Sequence, residues 1–270
     1  MVTVFFFYSG YGVLTSAEKK ENYGKTFFRN RLLKTWLHFG IAVVCYLVLS
    51  LILGNRYGLW DYLLCLTGWT SLGNSNWFVF VMLALYAITW VALLLTQKMP
   101  PKAATLAIAA VVTALSYGLR KLLPMAGKPA YWYNTLFCYA AGMWFFLCKP
   151  LFDKLIGKWY LRIGVWTACL AVFYVLYKTP GVKAYSLYAC VFCLLVVLVT
   201  TNLRIDNPIL RWLGKNTFTV YIFQRIPMLI FASLGWTQNN LLFMAATVVV
   251  AMALAACFSH LYERLDRKLF

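Results

Sequence analysis

Trp77-Phe-Val-Phe-Val-Met-Leu-Ala-Leu-Tyr-Ala-Ile-Thr-Trp-Val-Ala-Leu-Leu-Leu-Thr96 decides the fold. It carries no charge and has the length, about 20 residues, that a helix needs to cross the hydrocarbon core of a bilayer. Working outward, comparable apolar stretches lie near residues 2–15, 35–54, 103–119, 131–148, 160–177, 184–203, 217–235 and 241–259. Apolar residues make up 63% of the 270 positions and charged residues 12%. A soluble domain of this size has nowhere to hide that much apolar surface, whereas lipid removes it from water directly. The expected fold class is all-α: a polytopic transmembrane helical bundle of about nine spans, forming one domain over 1–270.

A net charge of +18 would suggest nucleic acid in a soluble protein. In a membrane protein, Lys and Arg instead gather on the cytoplasmic side. The alternate connections 18–34, 97–102, 149–162, 204–216 and 260–270 hold 18 of the 25 basic residues. The opposite connections hold 6, and Arg225 lies within a span. This asymmetry predicts a protein of the cytoplasmic membrane with a cytoplasmic C-terminus and no nucleic-acid partner. Trp60 to Trp69 is too short to span and too apolar for a plain loop, so an interfacial or re-entrant helix on the outer face is expected there. Cys190 and Cys193 have Cys-x-x-Cys spacing but lie mid-span without a second pair, which argues against a metal or redox motif.

Polar groups inside hydrocarbon are costly and are the default site candidates. Arg225 stands near the middle of the span 217–235, with Gln224 beside it and Pro227 two positions on. It either lines a polar cavity for an anionic ligand or pairs with carbonyls freed by the proline. A second group, Lys25, Arg29, Arg31 and Lys34, sits on a short amphipathic stretch. Arg31 and Lys34, three apart, share a helix face. Such cations set topology and attract anionic lipid, or clamp phosphate. His38 and His260 have no Asp or Glu at helical spacing, so neither is set up as a general base. No span carries a buried carboxylate, which disfavours a secondary transporter.

Phe5-Phe-Phe-Tyr-Ser-Gly-Tyr-Gly12, followed by Phe28-Arg-Asn-Arg-Leu-Leu-Lys34, resembles the second span and cytoplasmic turn of the acyltransferase type 3 family. Trp77 to Tyr86 is similar to that family's Trp-Phe…Tyr span. Leu213-Gly-Lys-Asn-Thr-Phe-Thr-Val-Tyr221 resembles its late Leu-Gly-x-x-Ser-x-x-x-Tyr element, and Leu261 to Lys268 is similar to its closing segment. The resemblance implies about ten helices and transfer of an acyl group, usually acetyl, from cytoplasmic acyl-CoA. The acceptor would be a hydroxyl of a cell-envelope carbohydrate or a similar molecule. No bound cofactor or metal is implied; acyl-CoA is the donor substrate.

The family's Arg-x-x-Arg turn, which meets the CoA phosphates, maps to Arg31 and Lys34, with Arg29 beside them. Lys34 keeps the charge but loses the bidentate fork. Tyr221, Gln224 and Arg225, with Arg31 and Lys34, are the expected substrate-binding residues, and Gln224 stands where the family has a His. The family's catalytic Arg and His belong to a helix ahead of residue 5. The expectation is therefore a start-site error, a truncation or a separately encoded first helix as partner. The alternative reading is a catalytically inactive relative that binds or translocates a membrane ligand.

Overall fold

The computed structural model describes residues 2–20, 22–203 and 207–270, the side chain of Asn202 excepted. Arg204, one of the cations expected on the cytoplasmic side, lies outside the described residues. Twelve α-helices and no strand occur among them: α1 (Val2–Lys19), α2 (Tyr23–Phe27), α3 (Lys34–Ile52), α4 (Leu59–Leu66), α5 (Trp77–Leu95), α6 (Pro101–Met125), α7 (Phe137–Gly157), α8 (Trp159–Lys178), α9 (Val182–Asn202), α10 (Pro208–Phe223), α11 (Arg225–Ser233) and α12 (Asn240–Leu269). A π-helical turn, Phe28–Leu33, joins α2 to α3.

Among the described residues, seven segments are long and apolar enough to cross a membrane: the run Tyr23–Ile52, α5, α6, the run Ala130–Gly157, α8, α9 and α12. They coincide with seven of the nine expected spans. The other two differ for identifiable reasons. The segment α1 is helical throughout its 18 residues but ends in Ala17-Glu-Lys19, which lowers its hydropathy. The expected span 217–235 is interrupted at Gln224 and becomes α10 and α11. Pro227 causes this: it has no N–H to offer the carbonyl of Phe223 four residues back. The stretch after Trp60 is helical as expected, forming α4. The C-terminal tail, expected to be a connection, instead continues α12 to Leu269.

The chain divides into two compact units, residues 1–28 with 84–204 and residues 29–83 with 205–270. In the first, α1 packs chiefly on α7. A side chain on Gly10 would collide with the carbonyl oxygen of Tyr139, and one on Gly142 with that of Phe7. The two backbones therefore meet directly, as small residues permit in membrane helix pairs. Gly12, two residues along the same Ser-Gly-Tyr-Gly motif, has open space around it, so only Gly10 is required for the approach. Ser9 Oγ lies 2.8 Å from the hydroxyl of Tyr86, and Thr89 Oγ1 lies 3.0 Å from that of Tyr139. These four hydroxyls are satisfied in pairs.

In the second unit, α10 packs on α12 and α11 on α12. The connection from α4 to α5 is ordered by Asn74, whose Oδ1 accepts from the Leu72 N–H at 3.1 Å and the Ser71 hydroxyl at 3.0 Å. The Cys65 thiol points at the same oxygen, 3.9 Å away, and burial pushes its pKa up, so it stays a neutral donor. Asn207 and Asn239 cap α10 and α12 by accepting backbone N–H groups.

Candidate functional site

The basic turn predicted to hold phosphate is already engaged. Lys34 Nζ lies 2.7 Å from Asp266 Oδ2, and His38 Nε2 lies 3.0 Å from Asp266 Oδ1. Both carboxylate oxygens are thus taken by α3 side chains one turn apart. The His38 ring stacks on Tyr262, centroids 4.0 Å apart and planes within 5°. The Tyr262 hydroxyl donates to the His38 carbonyl at 2.8 Å. Arg29 donates through Nε (2.9 Å) and a second guanidinium nitrogen to the carbonyl of Leu269, the last residue of α12. A helix C-terminus attracts a cation there, since its last carbonyls lack intrahelical partners. Arg31 is half-buried and also engaged.

His38 thus requires a correction. Helical spacing offered it no acid, but the fold delivers one from α12, 228 positions away. Lysine and histidine share one carboxylate, a packed ionic clasp between α3 and the end of α12. Lys215 of α10 and Glu263 of α12, 2.7 Å apart, add a second pair that ties another helix to α12.

At the α10–α11 break, Tyr46 meets the backbone at Ile222, one residue before the carbonyl that Pro227 leaves without its helical donor. The Tyr46 hydroxyl donates to the Ile222 carbonyl at 3.0 Å and lies beside the backbone N–H groups of Arg225 and Ile226. Tyr221 is half-buried, its ring edge-on to Phe78 at 4.9 Å and its hydroxyl near Ser75. Gln224 is half-buried and Arg225 is exposed. Tyr221, Gln224 and Arg225 therefore gather around one helix break within the second unit, along with Tyr46, which sequence reasoning missed. Its sequence signal is a hydroxyl within a span that also holds His38 and Ser50.

In the first unit a cleft of ≈ 440 Å³ opens where α1 ends, α2 begins, α5 ends and α6 begins. Lys19, Lys20, Glu18, Asn22 and Gln97 stand around it, and Leu93, Ala104 and Ile108 form apolar wall. The Cys-x-x-Cys pair also has unexpected company: Cys190 Sγ lies 3.9 Å from Cys138 Sγ of α7, all three thiols being free.

A family model described as an acyltransferase domain, that of the acyltransferase type 3 family, matches residues 1–260. The chain belongs to this family. No curated protein and no solved structure gives a significant match. Within this acyltransferase the residues that carried the resemblance have distinct places. Ser9 of the first motif bonds Tyr86 of the second inside the first unit. Phe78 of the second meets Tyr221 of the third inside the second unit. The match ends at residue 260, so Asp266 and Leu269, which hold the basic turn, lie outside the matched region.

Proposed function

We propose that this acyltransferase, acting as one domain over its 270 residues, moves an acyl group, acetyl in the first instance, from cytoplasmic acyl-CoA to a hydroxyl. The acceptor is a cell-envelope carbohydrate or similar molecule, and the protein sits in the cytoplasmic membrane with its C-terminus inside. The family match over residues 1–260 is the observation that carries this reading. Arg29, Arg31 and Lys34 receive the donor's phosphates, with charge-assisted hydrogen bonds as the source of affinity. Because Lys34 is paired with Asp266, a phosphate binds there by taking over the ammonium from the carboxylate. Tyr221, Gln224 and Arg225 form the acceptor side around the α10–α11 break.

Acyl transfer to a hydroxyl needs a base for the departing proton and donors for the oxyanion. Gln224 is an amide and supplies hydrogen bonds but no base. That residue favours a second reading, an inactive relative that binds or translocates a ligand. The test is acetyl-CoA turnover by the purified chain in vesicles, read as release of the free CoA thiol with a hydroxyl-rich acceptor present. The expected result is CoA release that Arg31→Ala with Lys34→Ala lowers at least tenfold, about 1.4 kcal/mol or more. Retained CoA binding with no thiol release selects the second reading. Arg225→Leu that leaves folding and acceptor binding intact removes Arg225 from the acceptor site.

A further inference from the structure

We propose that the cleft between the ends of α1, α2, α5 and α6 binds the phosphoryl group of an amphiphile, with its hydrocarbon against the apolar wall. It goes beyond the acyl-transfer reading, because none of its residues belongs to the basic turn or to the α10–α11 break. Its volume, ≈ 440 Å³, lies in the range of about 300–1,000 Å³ typical of small-molecule sites.

Three features of the cleft select an anion. Lys19 and Lys20 stand on its rim, and neither forms an ion pair with another described residue. Glu18 is the one acid among the described lining residues. The helix α6, 25 residues long, begins at the cleft with Pro101, and no side chain caps its N-terminus. Pro100 and Pro101 bring no N–H and the Ala104 N–H is bonded to the Pro100 carbonyl, so it is the positive end of the α6 dipole that favours an anion there. Tyr23, also in the lining, is only 8% exposed, and its buried hydroxyl has no hydrogen-bond partner. A buried hydroxyl left unpaired is costly, and a phosphoryl oxygen would satisfy it. Leu93, Ala104 and Ile108 offer nothing to a phosphate but suit an alkyl chain, which makes an amphiphile the fitting occupant rather than a free inorganic ion.

Two sources share the phosphoryl group: a bilayer phospholipid and a phosphorylated acyl carrier such as CoA. The full chain in neutral detergent is titrated separately with dihexanoyl phosphatidic acid and with coenzyme A. We expect the lipid to bind, and Lys19→Gln with Lys20→Gln to weaken it about tenfold, the equivalent of one lost charge-assisted hydrogen bond. Tyr23→Phe should weaken it several-fold, Glu18→Gln should strengthen it, and added salt should reduce it. The Glu18 and lysine variants change exposed side chains and keep the fold testable. Binding of the lipid, weakened in the lysine variant, supports the proposal; binding of coenzyme A alone, which has no alkyl chain for the apolar wall, overturns it. Unchanged affinity for the lipid in the lysine double variant overturns it, as does binding of neither probe. Acyl transfer is read separately as thiol release, so an inactive chain that binds lipid here refutes the acyltransferase reading alone.

Discussion

The basic turn of the second unit and the cleft of the first both carry lysines near the end of an early helix, yet they present them differently. In the turn, Lys34 and Arg29 are held by Asp266 and by the Leu269 carbonyl. At the cleft, Lys19 and Lys20 surround open space. A paired cation is oriented and structural, and a ligand must outcompete its partner; Lys19 and Lys20 have no such competitor among the described residues. Counting positive charges along a sequence cannot separate these cases.

The largest expected effect tests the frame that carries the cleft. Gly142→Leu forces α1 from α7 and should cost roughly 3 kcal/mol or more, as overpacking against backbone does. Loss of monodisperse protein after detergent extraction would show it. A wild-type melting curve would mean that the direct backbone contact does not hold α1. Next comes Asp266→Asn, which strips Lys34 and His38 of their shared anion. Both partners are partly exposed, with side-chain accessibilities of 36% for Lys34 and 21% for Asp266. Solvent screening therefore limits the loss to about 1–2 kcal/mol, visible as a lower Tm. If Tm is unchanged, the turn is no more committed than the cleft, and the contrast collapses. Tyr46→Phe, which deprives the Ile222 carbonyl of its donor, should cost about 1 kcal/mol by chemical denaturation. Smallest is Lys19→Gln with Lys20→Gln, expected to change stability by less than about 0.5 kcal/mol. A larger drop would show that these lysines are structural as well.

How much of this could be read from the sequence follows from the range of each interaction. The all-α polytopic fold was legible because apolar length is a local property, and α5 announces itself in 19 consecutive residues. The break at Gln224 was half legible: Pro227 signalled a kink, but not that the helix would stop. The tie between α3 and α12 was not legible. No periodicity links His38 to Asp266, and the tail read as a polar connection until α12 was seen to continue through it. Nor was the cleft, since a cavity is defined by side chains that fail to meet, and Tyr23 carries no mark of an unsatisfied hydroxyl. Around the candidate site, residue types were foreseeable and their partners were not.

Gly10 and Gly142 also set a schedule. The two glycines are separated by 132 residues of chain, and ribosomes add about 5–20 residues per second. The first helix therefore waits on the order of 10 s for its mate to be synthesised. During that wait its groove around Gly10 faces lipid or some other helix, and any bulky neighbour that settles there must leave again. Assembly of the first unit is thus a matter of keeping a narrow berth empty, and a helix that arrives early is as great a hazard as one that never comes.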